Sequence, residues 1–177
     1  MDFDEAMRIR NLQANRGFGD QASLADSCSR GVEALRSDFD RQVPDMVRYL
    51  ENSGPQPAAF EVFAPGYTAF KKKRKKKMSP RGYLVNRGAV KTMLLPDGQL
   101  WRHTEDDGTS STGPLFMNYT PGRDFYVLDH LAGVKFSVHR GQSAISVNDP
   151  ADTTISIEMS EALARIAQQI VSNHAAM

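Results

Sequence analysis

Seven consecutive cations, Lys71, Lys72, Lys73, Arg74, Lys75, Lys76 and Lys77, are the densest chemical signal in this 177-residue chain. Charges about 4 Å apart repel one another, and water and salt only partly screen them, so a polyanion stabilises such a segment. Its chemistry is contact with phosphates, without readout of bases. The rest of the chain does not share the bias. Residues 1 to 70 hold 7 Arg against 11 Asp and Glu, and residues 78 to 177 hold 8 cations against 10 acids. The three parts sum to −4, +7 and −2, which the formal net charge of +1 conceals. Six of the eight lysines lie in the run, so a general preference for lysine does not account for it.

The expected partner is therefore nucleic acid or another polyanion. Were all seven charges to meet DNA phosphates, the logarithm of affinity would fall with the logarithm of salt at a slope of up to about −6. An anionic membrane surface or a nuclear-import receptor suits the same composition. The plain alternative is a solvated hairpin tip or edge strand whose lysines block sheet-to-sheet association. The aromatic neighbours Tyr67, Phe70 and Tyr83 are too few to form a stacking platform for bases.

A third reading, an enzyme, draws on His103, Asp129 and His130. Adjacent Asp129 and His130 diverge on a strand, and His103 sits where a strand ends, so no nucleophile and base are paired by spacing. No glycine-rich phosphate loop, no Gly-x-Ser-x-Gly and no His-Glu-x-x-His occurs. The sequence leans away from an enzyme, and it calls for no cofactor and no metal. The single cysteine, Cys28, falls on an apolar stripe and reads as a small core residue rather than a nucleophile.

Positioning any of these groups needs a scaffold, and the hydrophobic share of 40% supports one globular domain. Residues 1 to 19 read as a short or frayed helical segment broken at Gly17-Phe18-Gly19. From Asp20, apolar residues recur at Leu24, Cys28, Val32, Leu35, Phe39, Val43, Met46 and Leu50 in steps of three and four, which predicts an amphipathic helix over 20 to 52. Pro44 within it predicts a kink or a restart. The stripe offers a second function: an adaptor, or a homodimer, using Leu24, Val32, Leu35, Phe39, Val43, Met46 and Leu50 as its partner-binding face. Packing of that face on the protein's own sheet meets the same spacing, and Gly31 and Pro44 favour it over a coiled coil.

Residues 53 to 177 predict about five to seven short antiparallel strands with a basic loop at 71 to 77. Ala59 to Phe63 reads as a strand closed by a turn at Pro65-Gly66, Pro96-Asp97-Gly98 is the clearest hairpin turn, and Glu105 to Pro114 reads as an exposed loop. Phe125 to Leu131 fits either helix or strand. Alternation through Val134 to Val138, Ile145 to Val147 and Ile155 to Met159 predicts a three-strand meander. A helix capped by Ser160 then fills 160 to 175. The fold class is α+β, an antiparallel sheet packed against a long N-terminal and a C-terminal helix. No apolar run approaches the length of a membrane span and the first residues are acidic, so the expected location is the cytoplasm.

Overall fold

A computed structural model describes residues 3–60, 62–66, 74–87, 90–104, 110–113 and 125–177. Two helices pack with two antiparallel sheets of five and four strands, so the class is α+β. Helix α1 runs from Phe3 to Asn52 without interruption. The break expected at Gly17 to Gly19 is absent. Glycine costs a helix only about 1 kcal/mol relative to Ala, and it ends one only where the chain adopts a left-handed cap and turns away. Pro44 also lies inside α1 rather than at a restart. It is exposed, as is Asp40 one turn before it, while Val43, Met46 and Val47 are buried, so the proline lies on the solvent side and core contacts hold both flanks.

The stripe forms one wall of the core. Cys28 and Phe39 are fully buried, as is Leu50; Val32, Leu35, Val43 and Met46 are nearly so, and Leu24 packs against them half-buried. The Phe39 ring meets Phe136 edge to face at 6.4 Å between centroids. At 1.5 Å per residue the span from Leu24 to Leu50 is about 40 Å, roughly half of the ~75 Å length of α1.

The five-stranded sheet orders β1 (Ala58–Ala59), β4 (Arg81–Arg87), β5 (Val90–Leu94), β6 (Leu100–Thr104) and β7 (Ser110–Gly113) side by side. Between β1 and β4 the chain forms β2 (Val62–Gly66) and β3 (Arg74–Met78), which pair with each other. The expected single strand over 59 to 63 is thus split between two sheets, and Pro65 and Gly66 lie within β2 rather than at its turn. Pro65 is tolerated because β2, among the described residues, has a strand partner on one side only, so a missing N–H breaks no second ladder. Part of the loop expected at 105 to 114 is strand β7; hydroxyl-rich Ser110 to Gly113 gains order by pairing with β6. Turn chemistry is read correctly at 96 to 98, where Gly98 takes φ +86° and Asp97 Oδ1 accepts the Gln99 N–H at 3.0 Å.

The four-stranded sheet orders β11 (Thr154–Ser156), β10 (Gln142–Asn148), β9 (Val134–His139) and β8 (Phe125–Leu131). The meander is therefore one strand larger than predicted, and β8, ambiguous from its apolar run, is a strand with a bulge between Val127 and Asp129. Helix α2 (Met159–Ala175) closes the chain. Its N-cap is Glu158, with no side-chain cap bond, rather than Ser160. Burial of Met159 at the helix start draws the boundary one residue earlier. Met159, Leu163, Ile166 and Ile170 join the α1 stripe, β4, β5, β6, β8, β9 and β10 in a single core.

Two hairpin turns, one from each sheet, seat directly on α1. A Cβ on Gly98 would stand 2.9 Å from Val43 Cγ1, and a Cβ on Gly31 would stand 2.6 Å from the Gly141 carbonyl oxygen. Glycine at 31 is required by close approach of helix and turn. Gly31→Ala is expected to lower the thermal midpoint, because displacing a backbone carbonyl costs about 1–3 kcal/mol and outweighs the ~1 kcal/mol gained in helix propensity. Ser37→Ala, on the exposed face of the same helix, reports the propensity gain alone and raises it.

Candidate polyanion-binding site

Of the seven cations, Lys71 to Lys73 lie outside the described residues, whereas Arg74, Lys75, Lys76 and Lys77 form most of β3. The expectation of a loop over 71 to 77 is corrected for these four. They lie opposite Gly66, Pro65, Ala64 and Phe63 of β2 in antiparallel register. Lysine disfavours strands, but β2 supplies a neutral template with no opposing cation, so pairing adds no cross-strand repulsion. Among the described residues β3 pairs with β2 alone, while β2 also runs near β7, the edge of the five-stranded sheet. An extended strand rises about 3.3 Å per residue. Successive strand positions alternate between faces, so cations that share one face recur about every 6.6 Å.

The other candidate residues are placed apart from one another. His103 is on β6 in the five-stranded sheet, opposite Lys91 and Ser110, whereas Asp129 and His130 are on β8 in the four-stranded sheet. His130 is exposed, and its carbonyl accepts the Asn86 Nδ2 at 3.0 Å. Among the described residues no group of three or more His, Cys, Asp or Glu is arranged to hold a metal ion, and no helix is long and apolar enough to cross a membrane. The residues of the adaptor reading, from Val32 to Leu50, are occupied in the core.

Clefts flank the helices among the described residues. A largely apolar groove of about 450 Å³ lies between α1 and α2, floored by Met46, Leu163 and Ala167 and rimmed by Tyr49, Asp45 and Gln168. A polar cleft of about 550 Å³ opens between α1 and the start of α2, with Asp38, Arg41, Ser143 and Glu158 on its walls. Arg41 donates to Asp38, and Gln42 Nε2 donates to the same carboxylate oxygen at 2.8 Å. The Arg41 hydrogen bond holds the Asp38 carboxyl below its ordinary pKa, against a smaller opposing effect of burial. A third cleft, about 410 Å³, lies between the loop after α1 and the last turns of α2, with Pro55, Gln56, Val171 and His174 on its walls.

Beside this third cleft, a cluster of interior hydrogen bonds clasps α2 to β4. Strand β1 is only two residues long and pairs with Arg81 and Gly82, so the β4 edge beyond needs other partners. Asn173 Nδ2 donates to the Leu84 and Val85 carbonyls, both at 2.9 Å, and its Oδ1 accepts from Gln169 Nε2 at 2.9 Å. The Leu84 N–H donates to His174 Nε2 at 3.0 Å. Arg87 donates to the Asn173 carbonyl. A bulge between Leu84 and Asn86 turns the Val85 carbonyl toward the same helix. Asn86 then reaches the β8–β9 turn, its Oδ1 accepting the Ala132 N–H at 3.1 Å. Tyr83, fully buried, meets the His174 ring edge to face at 6.0 Å. Burial, then the nearby Glu51 charge, raises the Tyr83 phenol above its ordinary pKa. Sequence reasoning missed this cluster. Its only trace was Asn173, a polar residue three positions after Ile170 on the buried face of α2.

Comparison with known proteins finds no matching family model, no similar curated protein and no solved structure that matches the chain.

Proposed function

We propose that this protein is a small binding or accessory protein whose Lys71 to Lys77 segment contacts nucleic acid or another polyanion through its phosphates, without reading bases. One observation carries the reading: seven contiguous cations sit in a chain whose remaining charge sums to −6. A hairpin that carries four of them along one strand supports it, because pairing with β2 holds contiguous cations in an extended row that phosphates can line.

Fluorescence anisotropy with labelled single- and double-stranded DNA and RNA, across a salt series, tests the proposal. The wild-type chain is expected to bind all four with little sequence preference and with a log–log salt slope reaching about −6. Replacing the six lysines with Ser is expected to remove most of that slope, with an unchanged circular dichroism spectrum. Binding that is absent at low salt, or that survives in the variant with the same slope, overturns the proposal.

A further inference from the structure

We propose that the last turn of α2 is a proton-operated latch on the open edge of β4: neutral His174 holds it shut through the Leu84 N–H, and a protonated imidazole releases it. The geometry carries the inference. An imidazole nitrogen accepts a hydrogen bond only when unprotonated, and Nε2 is the atom that the Leu84 N–H meets at 3.0 Å. A protonated ring places an N–H against that N–H, so one state of the side chain is incompatible with the closed clasp. The cost falls on a strand edge that, among the described residues, has no strand partner beyond Gly82. The rest of α2 stays anchored by Leu163, Ile166 and Ile170, so release is confined to the final turn.

The surroundings set the direction of the response. From β4, the Arg87 guanidinium and the Tyr83 ring face His174; from α1, Glu51 acts on the Tyr83 phenol. The loop after α1 contributes the uncharged Ser53, Gly54, Pro55 and Gln56 to the adjoining cleft. Burial first, and the Arg87 charge second, hold the His174 imidazole below its ordinary pKa. The helix C-terminus favours the cation and opposes them without reversing the direction. Because the closed state binds its proton less readily than the open state, closure is complete above the ordinary histidine value of about 6.5. It is lost progressively as the pH falls from there through the depressed value of the closed state.

Histidine resonances and backbone amide exchange, followed by NMR on the full chain between pH 7.5 and 5, test the latch. The Leu84 amide is expected to lose at least about tenfold in protection, after correction for the intrinsic pH dependence of exchange, with the same midpoint as the His174 ring. Leu94 and Leu100 amides in the same sheet keep theirs. In His174→Gln, Leu84 protection no longer depends on pH, whatever its level. In Arg87→Gln the midpoint moves to higher pH, since a neighbouring cation is gone. Titration of His174 without change at Leu84, or loss of protection shared by Leu94 and Leu100, overturns the proposal.

Discussion

Phe39→Ala lowers the unfolding free energy by about 3–5 kcal/mol, the range for truncating a buried phenylalanine. Phe39 is fully buried midway along the packed part of α1, and its ring meets Phe136 of β9 edge to face. Truncation therefore removes the transfer energy of the ring, leaves a cavity between helix and sheet, and discards an aromatic pair worth about 0.5–1.5 kcal/mol. Domains of this size are stable by about 5–15 kcal/mol, so the variant loses a large part of its margin. Urea unfolding at neutral pH reads it as a fall in midpoint at an unchanged slope. Tyr49→Ala on the same helix changes a side chain 54% exposed and is expected to shift stability by less than about 0.5 kcal/mol. A loss under about 1 kcal/mol for Phe39→Ala would contradict the burial of the stripe. It would return Phe39 and its neighbours to consideration as a face for a protein partner.

The second large effect lies at Asn173. Asn173→Ala removes two donors at once, leaving the Leu84 and Val85 carbonyls and the Gln169 amide without their partner in a position only 6% exposed. Each buried polar group left unsatisfied costs about 1–3 kcal/mol, so the expected loss is about 3 kcal/mol. Asn173→Asp has nearly the same shape and separates hydrogen bonding from packing. At neutral pH it sets a carboxylate against two carbonyl oxygens and destabilises more than Ala does. Here the folded state raises the carboxyl pKa, because protonation restores one donor. Acidification through the folded pKa then recovers part of the lost stability, relative to Asn173→Ala under the same conditions. Thermal midpoints of the two variants at pH 7.5 and pH 5 measure the reversal. Equal pH responses would show that Asn173 does not donate to the β4 edge.

Local sequence made the buried faces of both helices and the turn at 96 to 98 legible. The three- and four-residue steps from Leu24 to Leu50 and the apolar face from Leu163 to Ile170 define helices because their period matches 3.6 residues per turn. Pro96-Asp97-Gly98 defines a hairpin because Gly98 alone needs positive φ there. The basic run was equally plain, since contiguous charge needs no folding to be recognised. Its place on a strand was not, because lysine carries a weak strand preference and only pairing with β2 supplies the hydrogen bonds. Gly17 and Gly19 misled in the opposite direction: a glycine permits a helix end without requiring one.

The sequence by itself determined the α+β class, the buried face of α1, the turn between β5 and β6, and the concentration of seven positive charges in one segment. These follow from composition and from periods that neighbouring residues set. Tertiary structure alone decided that α1 receives a turn from each sheet, Gly141 at Gly31 and Gly98 at Val43, that β8 completes the meander, and that Asn173 and His174 serve the β4 edge. Residues about 90 positions apart form that last contact. A polar Asn173 on the apolar face of α2 is the only local sign of it, because the need it meets, a β4 edge without a strand partner beyond a two-residue β1 among the described residues, exists only once the sheet has formed.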